Sequence, residues 1–262
     1  MAQVLIRFED EGILAIGQPS HAWLSGQLAR AWGSARLDAP EPWEEVCLAA
    51  EQHDVGMAEW DLAPKLHPQA KRPQSFMEMA LADHLRLWSA APAKLLTQSR
   101  YAALLVSLHG SALYERRDLA GMPPEDARAV RAYLAGERAR QERLIRLLGA
   151  DRQQLNRNQR LLWAWDGLSL ALCLRWNDYV AADVPTRGEG GVDVRLEPVT
   201  GEAGGTFTID PWPFAADELT VRCEGRWMGG PHETEHELQA ALEEAPQVAL
   251  DFTLVPSSHR AG

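Results

Sequence analysis

The spacing of apolar residues changes twice along the chain. Residues 3–16, QVLIRFEDEGILAI, hold two short apolar runs around Glu9-Asp10-Glu11-Gly12, the pattern of a β-hairpin. From Pro19 the period lengthens to that of a helix, with Ser20 as N-cap, His21, Leu24, Leu28 and Trp32 on one stripe, and Gly33 as the stop. The same spacing predicts helices over Glu41–Asp54, Ser75–Ala90, Gln98–Arg117, Pro124–Leu148 and Arg152–Tyr179. Beyond Tyr179, residues 185–205 are crowded with Gly and Pro and read as turns and loops. Strand-like runs follow at Gly205–Ile209, Glu218–Trp227 and Gln247–Val255, with a short helix at Glu233–Glu244. The pattern predicts a mainly α protein: a helical bundle or orthogonal array of about 160 residues, with a small antiparallel sheet built from the C-terminal region and the N-terminal hairpin. The expected division is a helical domain over 1–181, led in by the hairpin of 1–17, and a β-rich appendage over 182–262 packed on it.

Composition narrows the function classes. The chain has 262 residues, and 26 Lys+Arg stand against 37 Asp+Glu for a net charge of −11, a poor match to the phosphates of a nucleic acid or an anionic membrane surface. No apolar run approaches the ~18 residues of a spanning helix, and MAQVLIRFEDEG lacks the apolar centre of a signal peptide, so the expected location is cytoplasmic. Cys47, Cys173 and Cys223 lie far apart with no CxxC pair, as reduced buried thiols do. The charge is uneven: between Glu115 and Arg160 there are 11 Arg and 7 acids, a local +4 that leaves −15 elsewhere. That stretch reads as a helix with a solvated, mixed-sign face.

The polar residues that fall on apolar stripes carry the chemistry. His84 has Ala80, Leu81, Leu87 and Trp88 as helical neighbours, and His109 has Leu105, Val106, Ala112 and Leu113. His21 shares its face with Leu24, Ser25 and Leu28, and His53 follows Ala49 and Ala50. Asp54 and Asp166 also sit among apolar neighbours, Asp166 within LLWAWDGLSLALC. A buried unpaired carboxylate is costly, so four inward His and two inward Asp solve one another's burial if they converge on one or two divalent metals. Adjacent His53 and Asp54 diverge by ~100° on a helix and can share an ion only near its end, where Gly56 follows. His67, His232, His236 and His259 fall among Pro, Gly and charged residues and receive no role. There is no GxSxG and no Walker-type loop.

The series His21, His53-Asp54, His84, His109 and Asp166 resembles the ligand set of the HD superfamily of metal-dependent phosphohydrolases, whose core is a bundle of about five helices. The strings QPSHAWLSGQLARAWG, EQHDVGMAEWDLAPKL, LLVSLHGSALYERR, LLWAWDGLSLALC and DPWPF resemble, over nearly the whole chain, a bacterial family designated domain of unknown function 3891. Many of its members carry an aromatic after the Gly of HDxGW, where this chain has Met57, a change in the wall of the site.

The resemblance implies a first metal on His21, His53, Asp54 and Asp166, and a second, bridged by Asp54, on His84 and His109. Asp54, His84 and His109 are then also the catalytic residues. The expected cofactor is a divalent transition metal, two ions of Fe or Mn, with Zn, Co, Ni or Mg as substitutes. The expected reaction is hydrolysis of a phosphorylated small molecule by metal-activated water, with Lys65, Arg72, Arg116 and Arg117 as substrate contacts. Two alternatives share the residues: an HD-type di-iron oxygenase with the same six ligands, and a non-catalytic metal- or partner-binding protein. Homo-oligomerisation is left open.

Overall fold

The computed structural model describes residues 4–10, 12–75, 77–188, 190–199 and 205–258; His259 lies outside them. The chain opens with the hairpin β1 (Val4–Glu9) and β2 (Gly12–Gly17), paired from Val4 opposite Gly17 to Glu9 opposite Gly12. Helix α1 (Gln18–Ala31) follows without a break, two residues before the expected cap at Ser20. Pro19 is tolerated there because the first helical N–H groups have no intrahelical partner in any case. Next come α2 (Trp43–Gln52), a 3₁₀ turn (Val55–Met57), α3 (Ala58–Leu62), α4 (Leu81–Leu95), α5 (Arg100–Glu115), α6 (Pro124–Leu148) and α7 (Arg152–Leu174). The β-rich end holds β3 (Tyr179–Pro185), β4 (Gly191–Pro198), β5 (Thr206–Asp210), β6 (Leu219–Met228), α8 (Glu235–Glu244) and β7 (Gln247–Pro256).

Helix α6 keeps the expected bounds, and Ser99 and Asp151 cap α5 and α7 by accepting from Ala102 N and Gln154 N. Helix α4 starts six residues later than its apolar spacing suggested. The segment ahead of it is held as a turn by Glu78, which pairs with both terminal nitrogens of Arg72 at 2.7 Å and accepts from Ser75 N at 2.6 Å. Helix α7 stops five residues early because Arg175 adopts a left-handed conformation.

The expected mainly α bundle with a small antiparallel sheet is overturned. About 50% of the described residues are helical and 23% strand, and the strands form one seven-stranded, mixed, curled sheet in the order β1-β2-β6-β7-β5-β4-β3. Two strands had been hidden. The alternating run in β4 lies inside the Gly/Pro-rich stretch read as loop, and β3 begins where the helix was expected to end. The sheet is mixed because β5 runs parallel to β7, from Thr206 opposite Thr253 to Ile209 opposite Pro256. A parallel pair needs a long crossover, here β6 and α8, which local patterning does not reveal.

Helix α5 is central, touching α2, α4, α6 and α7, while α1 packs on β2 and β6 and α7 on β1 and β3. One apolar core runs continuously from Leu5 and Ile16 through Leu105 and Trp165 to Phe252 and Leu254. Among the described residues, no helix is long and apolar enough to cross a membrane.

Candidate metal centre

Five of the six expected ligands meet between α1, the end of α2, α5 and α7. His21, His53, Asp54 and His109 are buried, and Asp166 shows only its edge. Their atoms form two overlapping groups, His21-His53-Asp54 and His53-His109-Asp166, each spanning less than 4.8 Å and sharing His53. His53 Nε2 lies 3.4 Å from Asp166 Oδ1 and 3.6 Å from Asp54 Oδ2, and His109 Nε2 lies 3.5 Å from Asp166 Oδ2. His21 Nε2 is closer, 2.7 Å from Asp54 Oδ2. The divergence of consecutive residues is solved as expected at the helix end: His53 is the C-cap of α2, and Asp54 leaves the helical conformation with φ −100° and ψ 16°.

The hydrogen bonds behind the cluster fix which ring nitrogens face it. His53 Nδ1 is 2.8 Å from the Ala50 carbonyl, which can only accept, so Nδ1 carries the proton and the Nε2 lone pair turns to the carboxylates. The Ser169 hydroxyl donates to the Asp166 carbonyl at 2.8 Å and so accepts from His21 Nδ1, also at 2.8 Å. His21 therefore presents Nε2 in the same way. His53 Nε2 and His109 Nδ1 are buried without a hydrogen-bond partner. The His53 Nε2 lone pair, aimed at two carboxylates, calls for a proton or a cation between them. Separations near 3.5 Å are those of N and O ligands sharing one ion at about 2.0–2.2 Å.

Without a metal the cluster holds a proton on His53. Burial opposes charging His53, but Asp54 and Asp166 outweigh it and raise its pKa to about 9. Burial likewise works against the Asp166 carboxylate, yet His53 first, then His109 and His21, hold it below the usual carboxylate range. Burial lowers His109 to about 4, against the pull of Asp166.

His84 behaves differently. Trp88 Nε1 donates to its Nε2 at 2.9 Å, and its Nδ1 meets the Tyr114 hydroxyl, so both ring nitrogens are engaged. Burial lowers its pKa to about 2, keeping the ring neutral. It still lines the same cavity, a space of about 180 Å³ that also touches His21, Asp54, His109 and Asp166.

Of the four expected substrate cations, Arg117 alone lines this cavity. Lys65 pairs with Asp83 at 2.8 Å and Arg72 with Glu78. Arg116 stacks on Trp163 at 3.7 Å and borders a different groove. Trp163 in turn lies 5.6 Å from His109, centroid to centroid, and Trp88 lies 5.7 Å from it, so the tryptophans near the ligands wall the site. Gln18 was not foreseen. It lines the cavity, 5% exposed, with Oε1 buried and without a partner. It is the first residue of α1, three positions before His21 on the same buried face, and was missed because the expected helix began only at Ser20. Met57, where an aromatic was expected from the resemblance, is a wall residue.

The sequence matches the family model described as protein of unknown function (DUF3891) over residues 4–229. The chain belongs to that family. The match runs from β1 through β6 and therefore includes all five clustered ligands, His84 and Arg117. No curated protein and no solved structure matches the chain.

Proposed function

We propose that this member of the DUF3891 family is a metal-dependent hydrolase of a phosphoester carried by a small molecule. The observation that carries the reading is the pair of histidines, His21 and His53, whose Nδ1 atoms are tied down behind them and whose Nε2 atoms turn to Asp54 and Asp166. His21, His53, Asp54, His109 and Asp166 would hold the ion. Their neutral imidazoles and carboxylates suit Fe, Mn, Zn, Co or Ni. With His84 engaged at both nitrogens, one ion is the number we propose. When bound, such an ion supplies a water acidified toward a pKa of about 7.

The other residues bind and orient. Arg117 supplies the guanidinium that neutralises a phosphoryl group at the mouth. Ser169 and the Ala50 carbonyl hold the two imidazoles in one tautomer. Trp88 and Trp163 keep solvent from His109, so charges in the site act at low dielectric. We place the protein in the cytoplasm, where its three buried thiols stay reduced.

The test is phosphate release from a panel of phosphomonoesters by protein purified without added metal, then supplied with Mn²⁺ under nitrogen. The expected result is metal-dependent release, abolished in His53→Ala along with bound metal by elemental analysis. A wild-type chain that binds no divalent ion would overturn the reading, and so would oxygen consumption that depends on substrate without phosphate release.

A further inference from the structure

We infer that the ligand of this cavity is a monoester of phosphate with a short, apolar organic part, rather than a nucleotide, a sugar phosphate or a polyphosphate. The inference rests on the phosphoester reading above and adds the class of molecule.

Three observations carry it. The first is size. About 180 Å³ is roughly six water volumes, below the ~300–1,000 Å³ of sites that enclose drug-sized molecules. A phosphoryl group and a chain of a few carbons fill that space, and a nucleoside would extend past it into solvent. The second is charge. Among the described residues lining the cavity, Arg117 is the single Lys or Arg, and it makes no ion pair with the described residues, its guanidinium lying over the Tyr114 ring at 4.8 Å. Lys65 and Arg72 do not line the cavity and are paired with Asp83 and Glu78. Asp54 and Asp166 offset a divalent ion, so Arg117 leaves the site at about +1, which one phosphate ester of about −1.5 to −2 already outweighs and a diphosphate exceeds further.

The third is the wall. Beyond the ligands, His84, Arg117 and Gln18, the lining is Met57, Met77, Trp88, Leu113 and Leu170. The Trp88 N–H is spent on His84, so the indole offers its ring alone. Gln18 Oε1 can accept from one hydroxyl, but any further hydroxyl of a sugar or of glycerol would face thioethers and methyl groups and lose its hydrogen bonds to water. Methylenes would gain from the same burial. Two methionines let the wall adapt to the chain. In the hydrolysis itself, the bond from phosphorus to the ester oxygen breaks and one to the water oxygen forms. A water proton ends on the leaving alkoxide, giving an alcohol and inorganic phosphate.

Calorimetric titration of the Mn²⁺-loaded full chain with phosphonates, whose C–P bond is not hydrolysed, tests the ligand class apart from turnover. n-Butylphosphonate is expected to bind about tenfold or more tighter than methylphosphonate. 3,4-Dihydroxybutylphosphonate should bind no tighter than methylphosphonate, and adenosine monophosphate should not bind. Arg117→Ala should lose butylphosphonate binding, with circular dichroism confirming its fold. Leu170→Ser should keep methylphosphonate and lose the butyl advantage. Equal or better binding of the dihydroxy analogue or the nucleotide overturns the proposal, as does absence of binding by butylphosphonate. Phosphate release from n-butyl phosphate and from glycerol phosphate then separates the two readings. The expected binding order without release leaves the ligand class standing and removes the hydrolase, while release with a preference for glycerol phosphate does the reverse.

Discussion

His53 Nε2 stands 3.4 Å from Asp166 Oδ1, facing it without an aligned hydrogen bond. The Ala50 carbonyl holds the other ring nitrogen as a donor, and Asp54 and Asp166 outweigh burial to keep a second proton on His53 into the alkaline range in the metal-free cluster. A metal can take Nε2 only by displacing that proton.

Metal binding at pH 7 is therefore expected to release about one proton per ion, because the His53 pKa is raised to about 9 without metal. Titrating Mn²⁺ or Zn²⁺ in buffers of different ionisation enthalpy measures this directly. Affinity should climb between pH 6.5 and 9 and flatten above. A proton count near zero at pH 7 would place a neutral His53 in the apo cluster and contradict the argument.

Acid should destabilise the apo protein through His84. Burial lowers its folded pKa to about 2, while the unfolded chain takes up the proton near 6.5. The stability this group contributes is thus present above about 6.5 and is lost as pH falls toward 2. His84→Gln should flatten the fall in unfolding free energy between pH 6 and 4 by up to about 1.4 kcal/mol per pH unit. Urea titrations of both proteins with a chelator present would show it, and parallel slopes would refute it.

Asp61 has the opposite sign. Its Oδ2 accepts from Gln18 N at 2.6 Å at the start of α1, its Oδ1 is buried without a partner, and burial raises its pKa well above the usual value. An acid whose folded pKa is raised contributes stability below its unfolded pKa and loses it as pH rises through the folded value. Asp61→Asn keeps the acceptor for Gln18 N and should match or exceed wild-type stability at pH 8. Asp61→Ala removes it and should cost about 1 kcal/mol. Thermal melts at pH 5 and 8 distinguish the three chains.

Two helical glycines should respond oppositely to alanine. A Cβ at Gly110 would lie 2.6 Å from Trp88 and 2.7 Å from the Tyr133 hydroxyl, where α4 and α6 close on α5. Gly110→Ala is expected to cost about 1–3 kcal/mol by overpacking, and to shift the indole that donates to His84. Gly136 on α6 has no neighbour within 4 Å of such a Cβ, so Gly136→Ala should stabilise by up to about 1 kcal/mol. Chemical denaturation of both variants decides.

Much of the site was legible because burial of a charge is legible. Asp166 between Leu162, Trp163, Ser169 and Leu170 signals a partner from any element that reaches it. The helices that deliver it followed from 3.6-residue spacing and local caps. The engagement of His84 was not legible: Trp88, one turn away on α4, shares its apolar stripe, but the Tyr114 hydroxyl comes from α5. Nor was the fate of Lys65 and Arg72, whose acidic partners Asp83 and Glu78 lie 18 and 6 residues on, within a segment whose helix was expected too early.

The sequence by itself determined which residues could not stay solitary in an apolar interior, and the length and placing of most helices, since both depend on neighbours a few positions away. Tertiary structure decided the rest. The order of seven strands, the parallel pairing of β5 with β7 and the inclusion of β3 and β4 in one sheet depend on contacts across long separations, where hydrogen bonds are satisfied by partners that no local pattern names. The same holds at the centre. Six polar residues were marked by their surroundings, but only the packing of α5 against α4 and α7 divided them into five that share a cluster and one that is hydrogen-bonded at both ring nitrogens.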